Sequence, residues 1–338
     1  MVNTSSNQAQ LNRLTALWAL SESGLGGFMH ALKIPFTGFF LGGFAIVIIT
    51  LIAHQSVHKY KAILQATLLV ILVKAVASPH SPPMAYIAVG FQGLAGLTFF
   101  SLIPNLRLAA ILFGFIGLME SAVQKFLVMT LLFGKSIWEA LDLFVQSILK
   151  DLSFMTNFSF SFWLIAGYIG VYGIWGILVG LWAGSLPQQL AHQSDAVILQ
   201  WHNLPPASTQ TDSLKKRKRT GKLIGGFFML VFMTSVFLFQ GLGGKAMYAI
   251  IRALAALVLL FYVINPLIKW GIARWSKKQQ ANNKKQLTEL LDLLPSISSK
   301  VAPAMQIARI QNKGLSVYPA FVINLIILSL YLTPTHEQ

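Results

Sequence analysis

The residues best placed to do chemistry are charged side chains inside apolar runs. Glu120 and Lys125 lie in a stretch from Leu108 to Phe133 that is long enough, as a helix, to cross a bilayer core of about 30 Å. An ionised group at that depth costs at least about 2.5 kcal/mol by insertion scales, so such residues face a partner, a cavity or a solute path. Positions five apart on a helix point about 140° from each other, so Glu120 and Lys125 each need a partner elsewhere. Glu22 stands between Ser21 and Ser23 in a weaker run, with His30 eight residues on. Lys74 lies near the end of another run and close to His80, and Gln92 lies in the next. Together Glu22, His30, Lys74, His80, Gln92, Glu120 and Lys125 predict an outward-opening polar pocket among the first, third and fifth spans. Two lysines and two histidines near its mouth suit an anionic solute such as a carboxylate.

Other chemistries find little support. His54 and His58 stand four apart beside Lys59 and Lys61, and two neutral ligands alone do not make a metal site. No paired-carboxylate, His-Glu-x-x-His or Gly-x-Ser-x-Gly arrangement argues for hydrolysis. Gly221-Lys222 and Gly244-Lys245 lack the upstream glycine and the terminal Ser/Thr of a phosphate loop. Cysteine is absent, which excludes thiolate nucleophiles and disulfides within the sequence. The expectation is a protein that is not an enzyme and carries no metal or cofactor.

The elements that must position these residues are membrane helices. Of 338 residues 55% are apolar and 11% charged, against roughly 25% charged in a soluble domain. No cleavable signal peptide is expected, because the first thirteen residues are polar. Apolar runs and their breakers predict nine spans. They cover Leu14–Lys33, Phe36–Ala53, Ala62–Ser78, Met84–Ile103, Leu108–Phe133, Phe160–Leu186, Leu223–Gln240, Ala246–Trp270 and Val317–Leu332. Two further segments read as amphipathic helices that do not span: Ile137–Leu152, and Leu287–Lys313 broken at Pro295 and Pro303.

The net charge of +16 is uneven: residues 187–338 hold seventeen basic and five acidic side chains. Blocks at Lys215–Arg219 and Lys269–Lys285 read as topology signals against anionic lipid, not as a nucleic-acid interface. Basic residues in alternate loops place the N-terminus in the cytoplasm; nine spans then leave the C-terminus outside. The fold class expected is thus all-α and polytopic, in a 6 + 3 arrangement. It comprises a six-helix domain over 1–186, a polar and basic linker over 187–221, and a three-span unit over 222–338. Gly176, Gly180 and Gly184 recur every four residues in the sixth span, as do Thr15, Ala19 and Ser23 in the first. Such stripes let backbones approach closely, either within the bundle or against another subunit.

Against this frame two stretches carry a resemblance. His30-Ala31-Leu32-Lys33-Ile34-Pro35-Phe36-Thr37-Gly38, followed by Leu41-Gly42-Gly43, and then Ser78–Gly93, resemble the substrate-binding subunit of energy-coupling factor (ECF) importers over roughly residues 11–186. Leu294-Pro295, Ala308-Arg309-Ile310 and Lys313-Gly314 more faintly resemble the coupling subunit of those importers, without the glycine that directly follows arginine there. The cobalt and nickel type begins Met-His, whereas this chain begins Met1-Val2-Asn3, which argues against those metals. The resemblance implies capture of a small metabolite or vitamin in a bacterial inner membrane, for uptake powered by separate ATPase subunits. It places partner coupling at Ala308, Arg309, Lys313 and Gly314, with a coupling membrane subunit as a further partner. An ion- or proton-coupled carrier using Glu22 or Glu120, and a non-transporting membrane scaffold, are the alternatives.

Overall fold

The computed structural model describes residues 4–26, 37–78, 81–151, 159–204, 251 and 255–332. Among them every regular element is a helix. In chain order these are α1 (Thr4–Leu20), α2 (Thr37–Gln55), α3 (Lys59–Ala77), α4 (Pro83–Leu102), α5 (Leu106–Phe133), α6 (Ser136–Asp151), α7 (Phe160–His202), α8 (Asn265–Asn282), α9 (Lys284–Ser299), α10 (Val301–Gln311) and α11 (Val317–Tyr331). A π-helical turn, Ser21–Leu25, follows α1, and another, Leu259–Ile264, precedes α8. Seven helices among the described residues are long and apolar enough to cross a membrane. The chain is an all-α, multi-pass membrane protein. The expected span Leu223–Gln240 and the basic block at 215–219 lie outside the described residues.

Two proline stops expected from the sequence are not stops. α7 continues through Pro187 to His202, and α9 continues through Pro295 to Ser299. An internal proline removes one i→i−4 bond and kinks a helix, but good helix formers on both sides can carry it through. Around Pro187, Gln189 Nε2 donates to Ser185 Oγ at 2.9 Å and Arg107 Nη2 donates to Gln188 Oε1 at 2.9 Å. The break near Pro303 is real but falls at Lys300, leaving the proline in the first turn of α10. There its missing N–H has no intrahelical role.

The chain resolves into two compact units. One comprises Met1–Ser121, Val171–Ala207 and Lys269–Gln338; the other comprises Ala122–Gly170 and Ser208–Ile268. This grouping follows space, whereas the 1–186, 187–221 and 222–338 partition follows sequence.

In the first unit α1 is the hub, packing on α2, α3, α9 and α11. Its Leu14, Ala16, Trp18 and Ala19 are fully buried. α2 is buried almost all round, as a central helix must be. α5 and α7 approach backbone to backbone. A Cβ on Gly176 would meet the Gly114 carbonyl, one on Gly180 the Ala110 carbonyl, and one on Gly184 Cα of Arg107 at 3.0 Å. The glycine stripe of the sixth span is therefore spent on packing inside the chain.

The second unit is held by an aromatic cluster and a cap. Phe126 lies 5.7 Å from Trp138 and 5.2 Å from Tyr168 between ring centroids. Trp138 Nε1 donates to Thr130 Oγ1 at 2.9 Å. Asp142 on the amphipathic α6 caps the start of α7, accepting from Ser161 N–H at 2.6 Å, Ser161 Oγ at 2.8 Å and Ser159 Oγ at 3.0 Å. Burial pushes the Asp142 carboxyl up, but these hydrogen bonds and one from the Phe160 N–H outweigh it and hold it below its ordinary value.

Two outcomes follow. Gly180→Leu should destabilise the detergent-purified protein by about 1–3 kcal/mol, because backbone has nowhere to retreat. Gly167→Ala, with nothing within 4 Å of its Cβ, should not lower the melting temperature and should raise it slightly, because alanine is the better helix former. For Asp142, a lowered folded-state value means its contribution is complete above the unfolded-state value of about 3.9 and is lost as pH falls through the lower folded-state value. Hydrogen exchange should show α6 amides protected at about pH 6 and losing protection below about pH 4, whereas Asp142→Ala, which removes both acceptor oxygens, should lack that protection at both.

Candidate functional site

α1 does not end cleanly. After Leu20 it passes into the π turn at Ser21–Leu25, and π segments inside helices recur at functional sites because one extra residue re-aims the side chains. Ser21 Oγ donates to Trp18 O at 2.7 Å and Ser23 Oγ to Ala19 O at 2.6 Å, so hydroxyls occupy carbonyls of the preceding turn. Between them Glu22 points into the unit. Its Oε2 lies 2.7 Å from Lys74 Nζ in the last turn of α3, and Lys74 Nζ also donates to the Glu22 carbonyl at 3.3 Å. The two side chains are 6% and 4% exposed, so this is a dry ion pair and Lys74 does not snorkel to water.

Gln92 is also buried. Its Nε2 lies at the face of Gly42, 3.3 Å from where a Cβ would stand, with Ser121 Oγ at 3.9 Å from the same point. Gln92 Oε1 has no hydrogen-bond partner among the described residues, and neither has Glu120 Oε2, on a half-buried carboxylate. Lys125 belongs to the other unit, where its Nζ donates to Tyr168 Oη at 2.6 Å and lies 5.3 Å from the ring centroid. Its partner is thus a phenol on α7. His30 and His80 lie outside the described residues.

The residues named for partner coupling separate by exposure. Ala308 is fully buried on α10. Arg309, Lys313 and Gly314 are exposed, and Gly314 takes φ +66° in the turn toward α11, a left-handed conformation that glycine adopts without strain.

A second polar feature was not read from the sequence. Where α1 begins, α2 ends and α3 begins, a cleft of about 320 Å³ opens, lined by Gln8, Asn12, Thr15, Ser56, Lys61 and Gln65 over a floor of Leu11, Ile52 and Leu69. Gln8, Asn12 and Thr15 recur at i, i+4 and i+7, one helical stripe. That stripe was the available signal. Ion pair and cleft lie at opposite ends of the α1–α2–α3 group, one at the end of α1 and the other at its start.

Among the described residues no group of three or more metal-ligating His, Asp or Glu side chains comes together. No protein-family model, no curated protein and no solved structure matches this chain. What the geometry offers is a cleft of hydrogen-bonding side chains and, apart from it, a buried charge pair.

Lys74→Met should cost about 3–5 kcal/mol, because it leaves the Glu22 carboxylate buried without a counter-ion. Pairing it with Glu22→Leu should recover most of that loss. Thermal unfolding of the single and double variants measures the difference.

Proposed function

We propose that this chain captures a small polar solute within its membrane domain and hands it across the bilayer. It would act as the membrane subunit of an ECF-type importer whose ATPase subunits are separate chains. The observation that carries this reading is the asymmetry of the α1–α2–α3 group. A buried ion pair closes it beyond the end of α1, while a polar cleft stands open at the start of α1. Alternating access requires such a group, shut on one side and open on the other. Glu22 already neutralises Lys74, so the solute class favoured is polar and hydrogen-bonding, and an anionic solute would have to displace that carboxylate. The exposed Arg309, Lys313 and Gly314 would contact the ATPase partners, and the basic loops would place the open cleft on the cytoplasmic side of a bacterial inner membrane.

The ion pair also favours a second reading. Protonation of Glu22 would release Lys74, so a proton could drive the same opening without ATP.

Purification from native membranes, followed by mass spectrometry of proteins and small molecules, tests the first reading. The expected result is two phosphate-loop ATPase subunits and a bound metabolite. Uptake that survives ATP depletion and stops with an uncoupler, with no ATPase co-purifying, would instead establish the carrier.

A further inference from the structure

By length and hydropathy α11, with the turn before it, qualifies as a membrane span. Its contacts place it elsewhere. α7 meets the start of α5 where Gly184 packs on Arg107 and Gln188 accepts from Arg107. Beyond that level α7 turns polar, with Gln188, Gln189, His192, Gln193 and Asp195. Gln200 lies sixteen residues past Gly184, about 24 Å further along the axis at 1.5 Å per residue. Gln311 Nε2, at the end of α10 and just before α11, donates to Gln200 Oε1 at 2.8 Å. The beginning of α11 therefore stands well outside the apolar part of the bundle, on the side where α5 starts.

The far end of α11 lies on that same side. Arg13 Nη1 donates to the Leu330 carbonyl at 2.6 Å, and Lys300 Nζ to the Leu332 carbonyl at 3.0 Å. Arg13 is beside Asn12, which shares the cleft with Ser56 and Lys61, at the joint between α2 and α3. Short connections join α2 to α3 and α4 to α5, so that joint and the start of α5 mark one face of the bundle. α11 has 15 residues, about 22 Å, which falls short of the ~20 residues that a bilayer core needs.

We propose that α11 does not cross the membrane. With α9, α10 and the end of α7 it forms an extramembrane lobe on the face from which α1 starts. The second half of α11 is the buried core of that lobe, while its first half is open, with Tyr318 exposed. Its residues Ile323–Leu330 are all buried, Asn324 Nδ2 donates to Gln311 Oε1 at 3.3 Å, and α10 packs along it. Protein, not lipid, covers that apolar surface. Arg13 and Lys300 both reach the last carbonyls of α11, where cations suit the negative end of the helix dipole. The start of α1 and the end of α11 are then on one face, in place of the opposite faces that nine spans imply.

The absence of cysteine permits a direct test. Single variants Val57→Cys, Ser81→Cys, Ser316→Cys and Gln338→Cys are exposed to a membrane-impermeant maleimide in sealed vesicles of either orientation. Ser316→Cys and Gln338→Cys are expected to label from the same face as Val57→Cys, and not from the face of Ser81→Cys. Labelling of Gln338→Cys from the Ser81 face would overturn the proposal. A Gln200→Cys/Gln311→Cys pair reports independently of sidedness, because the two glutamines touch through their side-chain tips: cross-linking of the intact protein by a short bis-maleimide that spans the lost side-chain length supports the lobe, and no cross-link in protein whose two thiols each react with a monofunctional maleimide counts against it.

Discussion

A charge held out of water must find an opposite charge or a strong acceptor, and this constraint shapes the first unit among the described residues. Its clearest expression is the 2.7 Å contact between Glu22 and Lys74. The pair joins the end of α1 to the end of α3, and the π turn at Ser21–Leu25 supplies the extra residue that aims the carboxylate inward. The same helix borders the polar cleft at its other end.

Buried or membrane-level cations elsewhere obey the same rule with different acceptors. Lys125 uses the Tyr168 hydroxyl, Arg13 the Leu330 carbonyl and Lys300 the Leu332 carbonyl. In the last two cases the acceptor is a helix end, whose final carbonyls lack intrahelical donors. The basic character of the chain is thus partly structural. Steric constraint does the complementary work: Gly176, Gly180 and Gly184 let α7 lie against the α5 backbone, which carries the continuous α7 past Arg107 and out to Gln200.

Much of the helical frame was readable in advance. The second to fifth spans begin and end within three residues of α2, α3, α4 and α5, because long apolar runs between Pro, Gly and polar breakers leave few alternatives. The amphipathic segment near 137–152 is α6, since polar and apolar residues alternate there with helical period. Pro187 and Pro295 misled because a proline is a local penalty that a long, otherwise favourable helix can absorb. At the candidate site the sequence marked Glu22, Lys74 and Lys125 as charges in need of partners, yet it named neither Tyr168 nor the Gln8–Asn12–Thr15 stripe. Those residues are unremarkable in type, and their roles come from what faces them.

The sequence by itself determined an all-α membrane protein, the positions of most of its helices, and the presence of intramembrane charge that demands compensation. These are properties of short windows, where composition and period act directly on the backbone. The tertiary structure alone decided that Glu22 serves Lys74 across 52 residues of chain, and that α11 is covered by α10 and α1. The reason is physical. Hydropathy measures the cost of leaving water and is nearly the same for lipid and for a protein core, so the neighbour that removes the water must be seen in three dimensions.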